Sequence, residues 1–228
     1  YEINAGKVYL MFGRSSGWEM DISLSNSNAS FFGKQSQDHA GFSIAGVEDV
    51  NGDNYGDFLI GAYLNDELGT SAGQSYLIFG KETGWINGVN LLNANVTFNG
   101  EFAYDLSGTS VSGVGDVNKD GYDDFMIGAS GNDESESNAG QAYLILGKNT
   151  WNSVYNLSDV DASFQGENYN DNLGKSLASA CDINNDTYDD ILIGAVSYKS
   201  GQCNGKTYII FGKESGWSMD TSIQNADG

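Results

Sequence analysis

Asp49-Val-Asn-Gly-Asp-Asn-Tyr-Gly-Asp57, running directly into Phe58-Leu-Ile-Gly-Ala62, is the stretch that decides how this chain folds. An acidic segment made of turn residues gives way at once to a short apolar strand. The pattern returns as Asp116-Val-Asn-Lys-Asp-Gly-Tyr-Asp-Asp124 before Phe125-Met-Ile-Gly-Ala129. It returns again as Asp182-Ile-Asn-Asn-Asp-Thr-Tyr-Asp-Asp190 before Ile191-Leu-Ile-Gly-Ala195. The loop starts lie 67 and then 66 residues apart. Self-similarity at one fixed long period marks a repeat architecture.

Other segments keep the same period. Gly6-Lys-Val-Tyr-Leu-Met-Phe-Gly13, Gly73-Gln-Ser-Tyr-Leu-Ile-Phe-Gly80, Gly140-Gln-Ala-Tyr-Leu-Ile-Leu-Gly147 and Gly205-Lys-Thr-Tyr-Ile-Ile-Phe-Gly212 align without gaps, and Trp18, Trp85, Trp151 and Trp217 follow them. Short strands come next at Ala29-Ser-Phe-Phe-Gly33, Val96-Thr-Phe-Asn-Gly100 and Ala162-Ser-Phe-Gln-Gly166. Each repeat thus reads as four strands: in the first, residues 41–47, 57–62, 73–80 and 96–100. Phe58-Leu-Ile60 and Tyr76-Leu-Ile-Phe79 are apolar throughout instead of alternating, as strands buried on both faces are. The fold expected is all-β, a row of propeller-type blades, each a four-stranded antiparallel sheet. A β-sandwich is the plainer alternative. About three full blades and a duplicated half blade are present. Residues 1–28 form a half repeat, and acidic-loop repeats cover about 29–95, 96–161 and 162–228. A propeller closes with about 4–8 blades, so 1–228 reads as part of a larger propeller or of an assembly.

In every loop, positions 1, 3, 5 and 9 are Asp, Asn, Asp and Asp, and position 7 is Tyr. Alternate residues of a tight loop can aim their oxygens at one centre, and calcium wants 6–8 hard oxygen donors. Three Ca2+ sites are therefore expected: Asp49, Asn51, Asp53, Tyr55 and Asp57; Asp116, Asn118, Asp120, Tyr122 and Asp124; Asp182, Asn184, Asp186, Tyr188 and Asp190. Each Tyr would contribute its main-chain carbonyl. An EF-hand would need Glu at position 12, where Ile60, Ile127 and Ile193 stand instead. The alternative is a plain Asp/Asn turn without metal. Position 6 is expected to need a left-handed backbone, easy for Asn54 and Gly121 and hard for β-branched Thr187. The third site should be the strained one. Asp123 and Asp189, beside the ninth-position carboxylates, are expected to point outward.

The chain carries 31 acidic and 10 basic residues, a formal charge of −21. That balance repels nucleic acid and anionic membranes, and no apolar stretch is long enough to span a bilayer. Three Ca2+ would reduce the charge to −15. Cys181 and Cys203 flank the third acidic hairpin and are expected to form a disulfide, the alternative being two free thiols. Asn28, Asn95 and Asn156 are candidate glycan acceptors; Asn185 also heads a sequon but lies inside an acidic loop. His39 is the only histidine, which excludes multi-histidine zinc sites and most Ser-His or Cys-His schemes. It is expected in an exposed turn. The tryptophans read as blade core or blade edge. No catalytic site is expected.

Phe79-Gly80, Gly61-Ala62 and the Asp-x-Asn-x-Asp-x-Tyr-x-Asp loops resemble the FG-GAP repeats of integrin α-subunit N-terminal β-propellers. The likeness covers nearly the whole chain. Tyr63, Ser130 and Val196 stand where the motif has Pro, and Leu146 replaces the Phe of the third Phe-Gly pair. The resemblance implies an extracellular or cell-surface calcium-binding propeller used for adhesion or protein contacts, with a protein or glycan ligand. The alternative is a structural subunit whose copies join through unpaired blade edges into a surface fibril or matrix.

Overall fold

The computed structural model describes residues 3–196 and 205–228. The chain opens with β1 (Lys7–Leu10) and β2 (Ala29–Phe32). β3 (Ser43–Glu48), β4 (Asp57–Ala62), β5 (Gln74–Ile78), β6 (Val89–Asn90) and β7 (Val96–Asn99) follow. The next repeat gives β8 (Ser107–Gly115), β9 (Asp124–Ala129), β10 (Gln141–Ile145), β11 (Val154–Asn156) and β12 (Ala162–Gln165). The chain ends with β13 (Leu173–Cys181), β14 (Asp190–Ala195), β15 (Lys206–Ile210) and β16 (Thr221–Ser222).

Two complete sheets are ordered β3-β4-β5-β7-β11 and β8-β9-β10-β12-β16, flanked by the three-stranded sheets β1-β2-β6 and β13-β14-β15. Inside each sheet the main strands run antiparallel in chain order. β4 pairs with β5 from Phe58↔Ile78 to Ala62↔Gln74, and β9 pairs with β10 in the same register one repeat later. The expected all-β blades are present, with one addition. β6, β11 and β16 are two- or three-residue strands from the following repeat that pair parallel with the outer strand of the preceding blade. They have too little apolar pattern to read from sequence. Each sits just before a one-turn 3-10 helix whose N-cap is Asn90, Asn156 or Ser222.

The core lies between the sheets. One cluster joins Leu59, Leu77 and Phe98 of one blade to Phe125, Ile127 and Tyr143 of the next, and another joins Met126 and Leu144 to Ile191 and Ile193. Both faces of β4 and β9 are consequently covered, which is why those strands are apolar throughout. The tryptophans seal the edges: Trp151 stacks on Phe125 and meets Phe98 and Tyr155 edge-on, and Trp85 does the same work on Phe58 and Phe31. Lys81, Lys148 and Lys213 lie over the rings of Trp85, Trp151 and Trp217, three or four residues further on.

Steric closeness explains the glycines of the two dipeptides. A Cβ on Gly61 would stand 2.2 Å from the Gly108 carbonyl oxygen of the next blade, and one on Gly128 would stand 2.0 Å from that of Gly174. No side chain fits where neighbouring inner strands approach so closely. His39 departs from expectation. It is half-buried, with its ring edge-on to Tyr63, because Ala40 beside it enters the core.

Candidate metal centres

Each acidic loop joins the inner strand of a blade to the second strand. A left-handed residue opens it: Glu48, Gly115 or Cys181, with φ of 56°, 78° and 51°, at an irregularity in the strand pairing. The loop then coils around its own first side chain. Asp49 Oδ1 accepts the N–H of Gly52 and Asp53 at 2.7 and 3.1 Å, and Oδ2 accepts that of Asn54 at 2.7 Å. Asn51 Oδ1 accepts from the Asp53 N–H, and Asp53 Oδ1 from the Tyr55 N–H, both at 2.9 Å.

Most of this ladder is copied in the other loops. Asp116 accepts from Asp120 and Gly121, Asn118 from Asp120, and Asp120 from Tyr122. Asp182 accepts from Asp186 and Thr187, Asn184 from Asp186, and Asp186 from Tyr188. Side-chain oxygens thereby replace the missing backbone ladder through the turn. Position 6 has the left-handed backbone expected of it, with φ of 67° at Asn54, 92° at Gly121 and 82° at Thr187. Thr187 is the strained member, and its hydroxyl meets the Lys119 ammonium of the preceding loop.

The ninth-position carboxylates sit deeper. Asp57, Asp124 and Asp190 are buried, and each grips two backbone N–H groups. Asp57 takes Val50 at 3.2 Å and Gly80 at 2.7 Å, Asp124 takes Val117 and Gly147, both at 2.8 Å, and Asp190 takes Ile183 and Gly212, both at 2.9 Å. Gly80, Gly147 and Gly212 are the glycines of the Phe-Gly, Leu-Gly and Phe-Gly pairs. A Cβ there would come within 2.4 to 2.5 Å of the eighth loop residue's carbonyl oxygen, at Gly56, Asp123 and Asp189. Burial, and after it the charges of Asp53 and Asp49, push the Asp57 carboxyl up to about 6. Burial, with Asp120 and Asp116 behind it, pushes that of Asp124 up to about 8.

Asp123 and Asp189 do not point outward. Asp123 Oδ2 accepts the Asp49 N–H at 3.0 Å, and Asp189 Oδ2 accepts the Asp116 N–H at 3.1 Å. Each ties its loop to the start of the loop before it. The position-7 rings reach the same way: the Tyr122 ring lies against Gly52, and Lys119 lies over the Tyr188 ring. A two-residue Asp-Asp pair with repeat spacing is the signal that could have exposed this stitching.

The donor set is all oxygen and suits a hard cation. Among the described residues no three His, Cys, Asp or Glu side chains converge closely enough to hold an ion by themselves. The pair Asp49 and Asp53 shares its loop with Asn51, while Asp57 is drawn into the blade by its two N–H donors. Cys181 is exposed, and its expected partner Cys203 lies outside the described residues. Asn28, Asn95 and Asn156 are exposed. Asn28 and Asn95 each accept a strand-end N–H, from Phe12 at 2.8 Å and Phe79 at 2.9 Å. Asp161 and Asp227 do the same for Leu146 and Phe211, so the oxygen is what that repeat position requires.

The family model for the FG-GAP repeat matches residues 40–78 and 107–145. Each match runs from the inner strand through the acidic loop to the third strand of a blade. Among curated proteins, integrin alpha-6 of Gallus gallus is 28% identical over 158 residues, covering 69% of this chain and 13% of its own length. Integrin alpha-IIb of Mus musculus is 30% identical over 169 residues, covering 72% of this chain and 15% of its own. Integrin alpha-V of Gallus gallus is 26% identical over 170 residues, with 72% and 16% covered. The chain thus spans about one seventh of the length of these relatives. The chain thus carries FG-GAP repeats, at residues 40–78 and 107–145, and is similar to integrin α-subunits over 69–72% of its length.

Proposed function

We propose that the chain is a calcium-binding FG-GAP propeller module, working outside the cell or at its surface in adhesion or protein contact. One observation carries the reading: three loops, far apart in sequence, repeat the same Asp-Asn-Asp hydrogen-bond ladder on left-handed turns. Turns that only reversed the chain would not need the same oxygen at positions 1, 3, 5 and 9 three times over. Asp49, Asn51, Asp53 and Asp57 would hold the first ion with the Tyr55 carbonyl. Asp116, Asn118, Asp120 and Asp124 with Tyr122, and Asp182, Asn184, Asp186 and Asp190 with Tyr188, would hold the others. Each ion would offset the burial, and behind it the mutual repulsion, that raise Asp57 and Asp124.

The ion's task in this reading is mechanical. It closes a loop that is stitched to its neighbour through Asp123 and Asp189, and so holds blade against blade. The module presents a surface, and its ligand is a protein or glycan, as the integrin likeness suggests; no reaction is assigned to it. Thermal unfolding in Ca2+ and in EDTA tests the reading. Calcium at about 100 times its dissociation constant stabilises by about 2.7 kcal/mol per site, so several degrees of melting temperature should be lost on chelation. Equal curves in the two buffers would sink it.

A further inference from the structure

At the end of each blade opposite its acidic loop stands a second polar group, built at fixed repeat positions. In the first complete blade Lys34 pairs with Glu67 at 2.6 Å, and the Tyr76 hydroxyl donates to Gln74 Oε1 at 2.7 Å. In the last, Lys206 pairs with Glu167 at 2.9 Å, and the Tyr208 hydroxyl donates to Glu167 Oε1 at 2.8 Å. Each of these groups balances one carboxylate with one ammonium.

The middle blade breaks the pattern. Glu101 occupies the position of Lys34 and Glu167. Glu134 occupies that of Glu67, and Gln141 stands where the last blade has Lys206. No ion pair reaches Glu101 or Glu134 among the described residues. Tyr143 is fully buried with its hydroxyl beside the Glu101 carboxylate, which is the group it faces. Gln141 Oε1 is buried without a partner. The amide nitrogen of Gln141 is spent on Ser163 at 2.9 Å and Asp220 at 3.1 Å, which turns its oxygen the other way. Burial, then the charges of Glu134, Asp105 and Asp220, raise the Glu101 carboxyl against the pull of Tyr143. A half-buried carboxylate with no ammonium beside it and a buried amide oxygen with no donor are costly unless something donates to them.

We propose that the middle blade binds an ammonium group supplied by another molecule, seated where Lys206 Nζ sits in the last blade. Glu101 and Glu134 are its counter-charges, and Gln141 Oε1 accepts its remaining proton. Three donors on one compact charge match that set. A metal suits it less, since no three carboxylates converge there.

Thermal unfolding of this chain in saturating Ca2+ tests the proposal, with methylammonium chloride against sodium chloride at equal ionic strength. Methylammonium should raise the midpoint by about 2 °C over sodium. Gln141→Lys should raise it without any amine and abolish the methylammonium response. Glu101→Gln should abolish the response too, and should that variant not fold, Gln141→Lys alone decides. A lysine tripeptide that stabilises where its norleucine counterpart does not would identify the ammonium as a partner's side chain. An effect of methylammonium alone would identify a free amine. Equal midpoints in the two salts, an undiminished response in Gln141→Lys, or a fourth calcium ion bound in place of the amine would overturn the proposal.

Discussion

The two ends of each blade are built under different constraints. At one end the acidic loops repeat most of the same hydrogen bonds, down to the two N–H groups gripped by Asp57, Asp124 and Asp190. At the other end equivalent positions hold Lys34, Glu101 and Glu167, or Gln74, Gln141 and Lys206. Six-residue strands separate the ends. The difference shows where the array is made uniform and where it is made individual. Residues that shape a turn and link it to the next blade cannot change one at a time, because each Asp at loop positions 1 and 9 serves two or more backbone groups. Residues at the opposite end bond mostly to other side chains, and those can be exchanged in compensating pairs.

The largest effect should come from breaking the uniform end. Asp124→Ala strands the Val117 and Gly147 N–H groups in a buried place, which costs about 1–3 kcal/mol for each group left unpaired. Denaturant unfolding should show that loss, while Glu134→Ala at the exposed opposite end should stay within about 0.5 kcal/mol. Comparable losses for the two would erase the contrast.

A smaller effect separates the loops from one another. Thr187 pays for a left-handed backbone at φ 82° that Gly121 adopts freely at 92°. Thr187→Gly should gain about 1 kcal/mol, and Gly121→Thr should lose a similar amount. Calcium titration of the two variants should move the third and second sites in opposite directions. If Thr187→Gly destabilises, the Lys119 contact outweighs the strain.

A pH dependence tests the opposite end. Burial raises Asp105 to about 6, although it accepts from Phe102 and Asn132. A carboxyl raised in the folded state is most stabilising when protonated. Its contribution is present below the unfolded value near 3.8 and is lost as pH rises through about 6. Asp105→Asn should therefore gain on the wild-type chain between pH 4 and pH 7, as followed by midpoints in denaturant. A constant difference across that window would contradict the assignment.

Most of this architecture is legible in the sequence because it is local. Loop ladders span five residues, strand pairs in a meander are neighbours, and the apolar runs of Phe58–Ile60 and Phe125–Ile127 announce burial on both faces. What escaped is long-range. Asp123 and Asp189 bond to residues more than seventy positions away, and nothing in their own neighbourhood points inward. β6, β11 and β16 are too short to show a period, and they exist only because the previous blade has an edge to cover. The left-handed start of each loop, at Glu48, Gly115 and Cys181, has no common residue type to betray it. The oxygen required past each Trp was equally hidden, since Asn28, Asn95, Asp161 and Asp227 read as sequons and acids and not as one strand-end acceptor.

Counting the bound metal tests the central claim most directly. Calorimetric titration of the chelator-treated chain with Ca2+, checked by elemental analysis after dialysis, should give three ions per chain, with one lost in each of Asp49→Ala, Asp116→Ala and Asp182→Ala. A chain that folds and takes up none would contradict the account, and the three loops would then be turns that share a hydrogen-bond pattern and nothing more.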